Sequence, residues 1–97
     1  MIKQGNDFSV LAQIYEDTVI NEDVAYFSKL AKETGLSARE LSKNLDQLSD
    51  LEIIYLKYQK IKDGKTLCCF YIDNDAMHLA EDQYNKLIAD EAVNSPR

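Results

Sequence analysis

Side chains of types that ligate metals or act as nucleophiles lie close together between positions 68 and 78, among them Cys68, Cys69, Asp75 and His78. The two cysteines are adjacent, so on a strand they point to opposite faces and do not readily form a disulfide with each other. Their spacing also differs from that of the cysteine pairs in zinc sites. We therefore expect reduced thiols with a packing role, no metal and no cofactor. Whether Cys68 or Cys69 has a redox role stays open.

Motifs typical of enzymes do not occur in the sequence. It contains no glycine-rich phosphate loop, no nucleophile elbow and no His-Glu zinc motif. His78 is the one histidine, and a lone histidine near the start of a helix is far more often a surface residue than a ligand or a base. The sequence therefore predicts a protein that is not an enzyme.

The basic residues are concentrated in the middle of an acidic chain. A net charge of -6 argues against a nucleic-acid partner, because neutralisation of phosphates supplies much of the affinity for nucleic acid. Residues 29–65, however, contain eight of the eleven Lys and Arg and only six Asp and Glu, a balance of +2. The segments on either side carry -4 each. The middle of the chain is therefore compatible with DNA.

Length and composition predict one folded domain over residues 1–97. An apolar content of 45% with three Gly and one Pro is far from the composition of disordered chains. No apolar run is long enough to span a bilayer, and the N-terminus lacks the basic and apolar regions of a signal peptide. We expect a cytoplasmic protein with no membrane contact.

Three helical segments open the chain. Apolar residues recur at helical spacing from about Phe8 to Thr18 and from about Val24 to Thr34, and Gly35 is the expected left-handed cap of the second segment. Ser37 and Glu40 then form a capping box that starts a third helix, which ends near residue 50 or 51. Its apolar face carries three leucines, and the turn of about three residues before it has the spacing of a helix-turn-helix. These leucines are Leu41, Leu45 and Leu48.

A β-hairpin and a last helix follow. Residues 53–61 and 66–72 are rich in β-branched and aromatic residues. Asp63-Gly64 between them predicts a two-residue type I′ turn that pairs Ile61 with Thr66 and places Leu56 on one face with Tyr71. One face of the hairpin should lie on the helices, because a lone hairpin is marginal in water. Helical spacing returns from about residue 74 to residue 89.

Several short motifs have the order seen in one class of regulators. They are Leu30-Ala31, Leu36-Ser37, the three leucines of the third helix, Ile53-Ile54 and the charged turn Asp63-Gly64-Lys65. Over roughly residues 24–72 this pattern resembles transcriptional regulators of the MarR and PadR type, which are winged helix-turn-helix proteins.

The resemblance implies a mainly α fold with a β-hairpin wing. Its parts would be three helices, a two-stranded wing and an extra C-terminal helix, with the helix-turn-helix at about 24–51, the wing at about 53–72 and the last helix at about 74–89. In such proteins the last helix commonly dimerises and the first often joins it, so the resemblance also implies a homodimer.

In a winged helix the start of the third helix enters the major groove and the wing meets the DNA backbone or the minor groove. The expected partner is double-stranded DNA, read as a homodimer on a pseudo-palindrome. Arg39 has the donor fork that suits guanine, and Asn44 has the amide that suits adenine. The candidate DNA-binding residues are Ser37, Ala38, Arg39, Ser42, Lys43 and Asn44 in the helix, with Lys60, Lys62 and Lys65 at the wing.

Each of these interpretations has an alternative. Arg39 and Lys43 suit a solvated helix face, and lysines on a hairpin also keep an exposed edge from pairing with another chain. The last helix either packs on its own domain or pairs with a second copy. The alternative function is a winged-helix module that binds proteins within a larger assembly. The operator, the effector, the direction of regulation and the helices of the dimer contact are not decided by the sequence.

Overall fold

A computed structural model describes residues 6–61 and 63–94, with side chains except those of residues 6–8 and 90–94. The first helix, α1 (Asn6–Tyr15), continues into a turn of π-helix at Glu16–Ile20. Asn21 closes this π-turn by donating its backbone N–H to the carbonyl of Glu16 at 2.9 Å. The predicted helix from about 8 to 18 is therefore present, but its last turn is wider than an α-turn. Asp17 on this π-turn is fully buried.

The second helix, α2 (Phe27–Thr34), starts three residues later than predicted. The preceding residues are extended, because the carbonyl of Ala25 accepts from Phe70 N at 2.8 Å and Tyr26 forms an antiparallel bridge with Cys69. This long-range pairing prevents helix formation at residues 24 to 26. The C-terminal end is as predicted, since Gly35 adopts a left-handed φ of 74°.

The third helix, α3 (Ala38–Asp50), begins at the predicted capping box. Ser37 accepts a hydrogen bond from the Glu40 N–H at 3.2 Å, and the Glu40 carboxylate accepts one from Ser37 N at 3.4 Å. The three leucines of this helix are buried in the core, and Leu36 of the preceding turn packs against it. Both features confirm the sequence-based prediction.

The end of α3 is a Schellman motif with a glutamate at the left-handed position. Ile53 N donates to Leu48 O and Glu52 N donates to Ser49 O, each at 2.9 Å. Glu52 itself has a φ of 60°. This conformation is usual for glycine, and it costs a residue with a Cβ roughly 1 kcal/mol.

The hairpin consists of β1 (Ile54–Lys60) and β2 (Thr66–Ile72), paired antiparallel. The predicted register is wrong by one residue, because Thr66 pairs with Lys60 and not with Ile61. The loop explains the shift: Gly64 N donates to Ile61 O and Ile61 N donates to Lys65 O, each at 2.9 Å. This is a longer turn, with Gly64 left-handed at a φ of 87°, in place of the two-residue type I′ turn.

The shift in register changes which residues share a face. Leu56 now lies beside Phe70, where the sequence predicted Tyr71. We call the face that carries the even-numbered residues of both strands the inner face, because Ile54, Phe70 and Ile72 on it are buried in the core. One face thus lies on the helices, as expected.

The last helix, α4 (Met77–Asn94), follows a short 3₁₀ turn at Asn74–Ala76 and packs on α1. The rings of Tyr15 and Tyr84 lie 5.3 Å apart, and Ala80 is fully buried. The helix thus packs on its own domain, and it extends beyond the predicted end near residue 89. The order helix, helix, helix, hairpin, helix is confirmed. Within the described ranges, no helix is long and apolar enough to cross a membrane.

We predict that Glu52→Gly stabilises the protein by about 0.5–1 kcal/mol, because glycine adopts the left-handed conformation without a steric cost. Urea unfolding followed by circular dichroism measures the change. The matched control is Asp46→Gly, at an exposed position inside α3, where glycine should cost about 1 kcal/mol. Equal destabilisation by both substitutions would contradict the assignment of strain to Glu52.

Candidate nucleic-acid interface

The outer face of α3 carries its charges in two groups. Arg39 and Lys43 are exposed in the N-terminal half, and Asp46 and Asp50 are exposed in the C-terminal half. Ala38 and Ser42, which each precede one of these basic residues, are also exposed. The N-terminal half of this face is therefore the part that attracts phosphates, while the carboxylates of the other half repel them.

Asn44 does not lie on this outer face. Its exposed fraction is 7%, because it stands one helical turn from both Leu41 and Leu48, on the side that meets the core. The predicted contact between Asn44 and a base is therefore wrong for this conformation. The signal was present in the sequence, since position 44 follows Leu41 by three residues and precedes Leu48 by four.

Ser37 is exposed but already occupied. Its hydroxyl accepts from Glu40 N in the capping box and lies 3.3 Å from the Glu40 carboxylate, to which it donates. A serine in this position fixes the start of α3, at the end of the helix from which the basic side chains project.

The hairpin continues the surface of α3. The two elements lie side by side, with a groove of only about 130 Å³ between them. It is lined by Phe27, Ser42, Leu45, Asp46, Ser49, Leu56 and Phe70. The exposed part of the inner face of the hairpin therefore lies next to the outer face of α3.

The wing lysines have different positions. Lys60 is exposed at the end of β1 and Lys65 is exposed in the turn, where its N–H donates to the Asp63 carboxylate at 3.1 Å. Lys62 lies outside the described residues. Lys60 belongs to the inner face, so it lies on the side of the hairpin that adjoins α3.

Tyr58 is a residue of this surface that the sequence reasoning missed. It is 76% exposed on the inner face, between Leu56 and Lys60, and it pairs with Cys68 on the opposite strand. The wrong register had placed it with residues of the other face. A tyrosine hydroxyl donates hydrogen bonds to phosphate or sugar oxygens, which makes Tyr58 a candidate contact residue.

The opposite face of the hairpin holds the wing in shape. The rings of Tyr55 and Tyr71 stack at 5.8 Å, and the Tyr71 hydroxyl donates to the side-chain oxygen of Gln59. Burial raises the pKa of Tyr71, so its hydroxyl keeps the proton for this bond. These cross-strand contacts stiffen the strands that carry the wing.

A larger open cleft of about 520 Å³ lies between the end of β1 and the segment before α2. On one side, Lys29 is held by the Asp23 carboxylate at 3.1 Å and by the Val24 carbonyl at 2.8 Å. Lys60 and Asp63 line the other side, so the two lysines and two aspartates of the lining balance, and the cleft offers an added anion little unbalanced charge. Among the described residues, no group of three or more His, Cys, Asp or Glu side chains could hold a metal ion.

No protein-family model and no curated protein sequence matches the chain. Solved structures do. ZitR of Lactococcus lactis superimposes with a TM-score of 0.65 at 15% identity, over 90% of this chain and 60% of its own. The circadian clock associated protein Pex from Anabaena gives a TM-score of 0.68 at 18% identity, over 93% of this chain and 83% of its own. A PadR family transcription regulator from Clostridium difficile gives 0.63 at 15% identity, over 90% and 91%.

The chain has a winged-helix fold. At identities of 15 to 18% the likeness establishes the fold and not the function. In this fold α2 and α3 occupy the positions of the helix-turn-helix, and the hairpin occupies that of the wing. The chain spans 60% of the length of ZitR.

The two cysteines of the wing differ in accessibility, which predicts different reactivity. Cys69 is fully buried and burial raises the pKa of its thiol, whereas Cys68 is half-buried on the inner face. We expect iodoacetamide to modify Cys68 at least about tenfold faster than Cys69 in the folded protein. Mass spectrometry of Cys68→Ser and Cys69→Ser measures the two rates. If Cys69 were modified as fast in the folded protein as in the unfolded protein, its burial would be contradicted.

Proposed function

We propose that the protein is a sequence-specific DNA-binding transcriptional regulator that acts as a homodimer. The observation that carries the proposal is the position of Arg39 and Lys43, which are exposed at the start of the recognition helix beside the inner face of the wing. In winged helices this end of the helix is the part that enters the major groove. The similar structures support the proposal, since one is a PadR family transcription regulator and another a possible transcriptional regulator.

Arg39 is the proposed base-reading residue, because its guanidinium offers two parallel donors to O6 and N7 of guanine. Lys43 and Ser42 lie one turn further along the same exposed face, where they approach phosphates. Ala38 leaves room for a thymine methyl group at the start of the helix. Ser37 acts mainly by fixing the helix end, and Asn44 is left out because it is buried.

The wing is proposed to lie along the DNA backbone or in the minor groove. Lys60 and Tyr58 on the inner face and Lys65 in the turn supply the contacts. Lys62, which lies outside the described residues, remains a candidate from the sequence. These are few phosphate contacts for one copy of the chain. Affinity should therefore be modest for a monomer, and a dimer would double the number of contacts.

The proposed dimer places two copies of α3 about 34 to 36 Å apart, one turn of B-DNA. Helix α4 covers α1 with part of its surface and leaves Ile88 43% exposed. Ile20, at the end of the π-turn, is 51% exposed. Apolar residues left in solvent on these elements suit contact with a second copy. A cytoplasmic location belongs to the same proposal.

A protein-binding module is the second candidate. It is favoured by the exposed apolar side chains of the hairpin, Tyr55, Leu56 and Tyr58, together with the net charge of -6, which suits a basic partner. Salt separates the two functions. Binding to DNA weakens steeply as salt rises, whereas an apolar contact between proteins does not.

We predict that Arg39→Ala abolishes preference for the specific site and leaves the free energy of unfolding unchanged within about 0.5 kcal/mol, because the side chain is exposed. Fluorescence anisotropy with DNA from upstream of the protein's own gene, measured with competitor DNA at several salt concentrations, tests this. Lys43→Ala should weaken binding to all sequences and reduce the salt slope by about one.

The matched control is Lys86→Ala, an exposed cation on α4, which should change neither the site preference nor the salt slope. Wild-type protein that shows no sequence preference, or an Arg39→Ala variant that keeps it, would refute the proposed recognition helix.

The dimer contact is tested by Ile88→Glu. A buried glutamate at the contact should raise the dimer dissociation constant at least about tenfold in sedimentation equilibrium, because an unpaired charge is costly to bury. Leu51→Glu is the control, since Leu51 is 68% exposed at the end of α3 and lies on neither α1 nor α4. A wild-type protein that sediments as a monomer, or equal effects of both variants, would contradict the α4 contact.

A further inference from the structure

The hydrogen bonds of β2 show which backbone groups of the hairpin are paired. The N–H of Phe70 in β2 donates to Ala25 O, so the polar backbone groups of Phe70 point toward the segment before α2 and away from β1. Because these groups alternate in direction along a strand, the odd-numbered residues of β2 are the ones that bond to β1. The end of the hairpin agrees, since Ile61 N donates to Lys65 O.

This pairing leaves one side of β1 open. The bonded residues of β1 are the odd-numbered ones, because they pair with the odd-numbered residues of β2. The N–H and C=O groups of Leu56, Tyr58 and Lys60 therefore point away from β2. All three residues are exposed, and in the described part of the chain no other strand pairs with β1. We call these backbone groups the open edge of β1. Such an edge accepts an added strand.

The side chains of β1 determine which charge an added strand should carry. The strand contains two lysines, Lys57 and Lys60, and no acidic residue, and both lysines are exposed. Apolar surface lies beside them, since Leu56 is 49% exposed and Tyr58 is 76% exposed. The net negative charge of the whole chain does not describe this strand. An extended segment that combines apolar and acidic residues complements it.

We propose that the open edge of β1 binds an acidic, extended segment of another protein, which adds to the sheet as an antiparallel strand. Main-chain hydrogen bonds hold the segment, and carboxylates beside Lys57 and Lys60 select it. A second copy of β1 does not suit this place, because two paired copies would gather four lysines and no carboxylate.

The added strand would lie beside the wing residues that are proposed to contact DNA. Tyr58 and Lys60 project from the inner face and flank the open edge at the same time. The acidic segment and DNA should therefore exclude each other, which would release the regulator from its site. This consequence rests on the proposed function, whereas the addition of the strand does not.

The first experiment is an NMR titration of the ¹⁵N-labelled protein without DNA. The probe is the acetylated and amidated peptide Glu-Thr-Val-Glu-Val-Thr, whose antiparallel pairing places the glutamates beside Lys60 and Lys57. The largest shifts and slowed hydrogen exchange are expected at the amides of Leu56, Tyr58 and Lys60. A peptide with lysine in place of both glutamates should bind at least about tenfold more weakly. No shift at these amides, or equal binding of both peptides, would overturn the proposal.

Two substitutions of Tyr58 separate backbone pairing from side-chain contact. Tyr58→Pro removes an N–H on the open edge and none that bonds to β2, so the hairpin is retained. Tyr58→Ala removes the same ring and keeps the N–H. The proline variant should bind the acidic peptide at least about tenfold more weakly than the alanine variant. Equal binding by the two folded variants would show that the peptide does not add as a strand.

A double variant, Lys57→Glu with Lys60→Glu, tests the charge without changing the backbone. It should prefer the lysine peptide to the glutamate peptide, and an unchanged preference would contradict the assigned partner. Shifts at the open edge that grow with protein concentration in the absence of peptide would identify a second copy as the occupant and overturn the proposal. Peptide binding by a protein that shows no preference among DNA sequences would support this inference and refute the proposed function.

Discussion

The relative positions of the helices and the hairpin depend on the pairing of the extended segment before α2 with strand β2. The hydrogen bond from Phe70 N to Ala25 O and the bridge between Tyr26 and Cys69 attach α2 to β2. The Schellman motif at the other end attaches β1 to the last turn of α3. Helix α3 and the wing are therefore held by backbone bonds on both sides, and the basic side chains of the two elements keep a fixed relative position.

This pairing also explains the burial of β2 on both of its faces. Phe70 faces the helices, while Cys69 on the opposite face lies between its pairing partner on β1 and Tyr26. A small apolar thiol suits a position enclosed by backbone on two sides. The side chains near the end of the hairpin have no such cover, which is why Tyr58 and Lys60 remain exposed.

The parts of the structure that were predicted from sequence are those determined by local hydrogen bonds and by one helical period. The capping box at Ser37, the left-handed Gly35 and the buried leucines of α3 belong to this group. The start of α2 and the register of the hairpin were predicted wrongly. The start of α2 depends on pairing with a strand some forty positions away in the sequence. The register depends on the choice between a two-residue turn and a longer turn, and Asp63-Gly64 is compatible with both.

The candidate site was predicted to a similar degree and for the same reason. Arg39 and Lys43 were found because a helical period separates them from the leucines, and the same period should have excluded Asn44. Tyr58 was missed because the sequence did not decide which face of the hairpin lies on the helices.

Helix α2 connects these features, because it is held at both ends. Its N-terminal end is fixed by backbone bonds to β2, and its C-terminal end continues through Gly35 into the cap of α3. The position of α3 relative to the sheet is therefore fixed twice, through α2 at its start and through the Schellman motif at its own end.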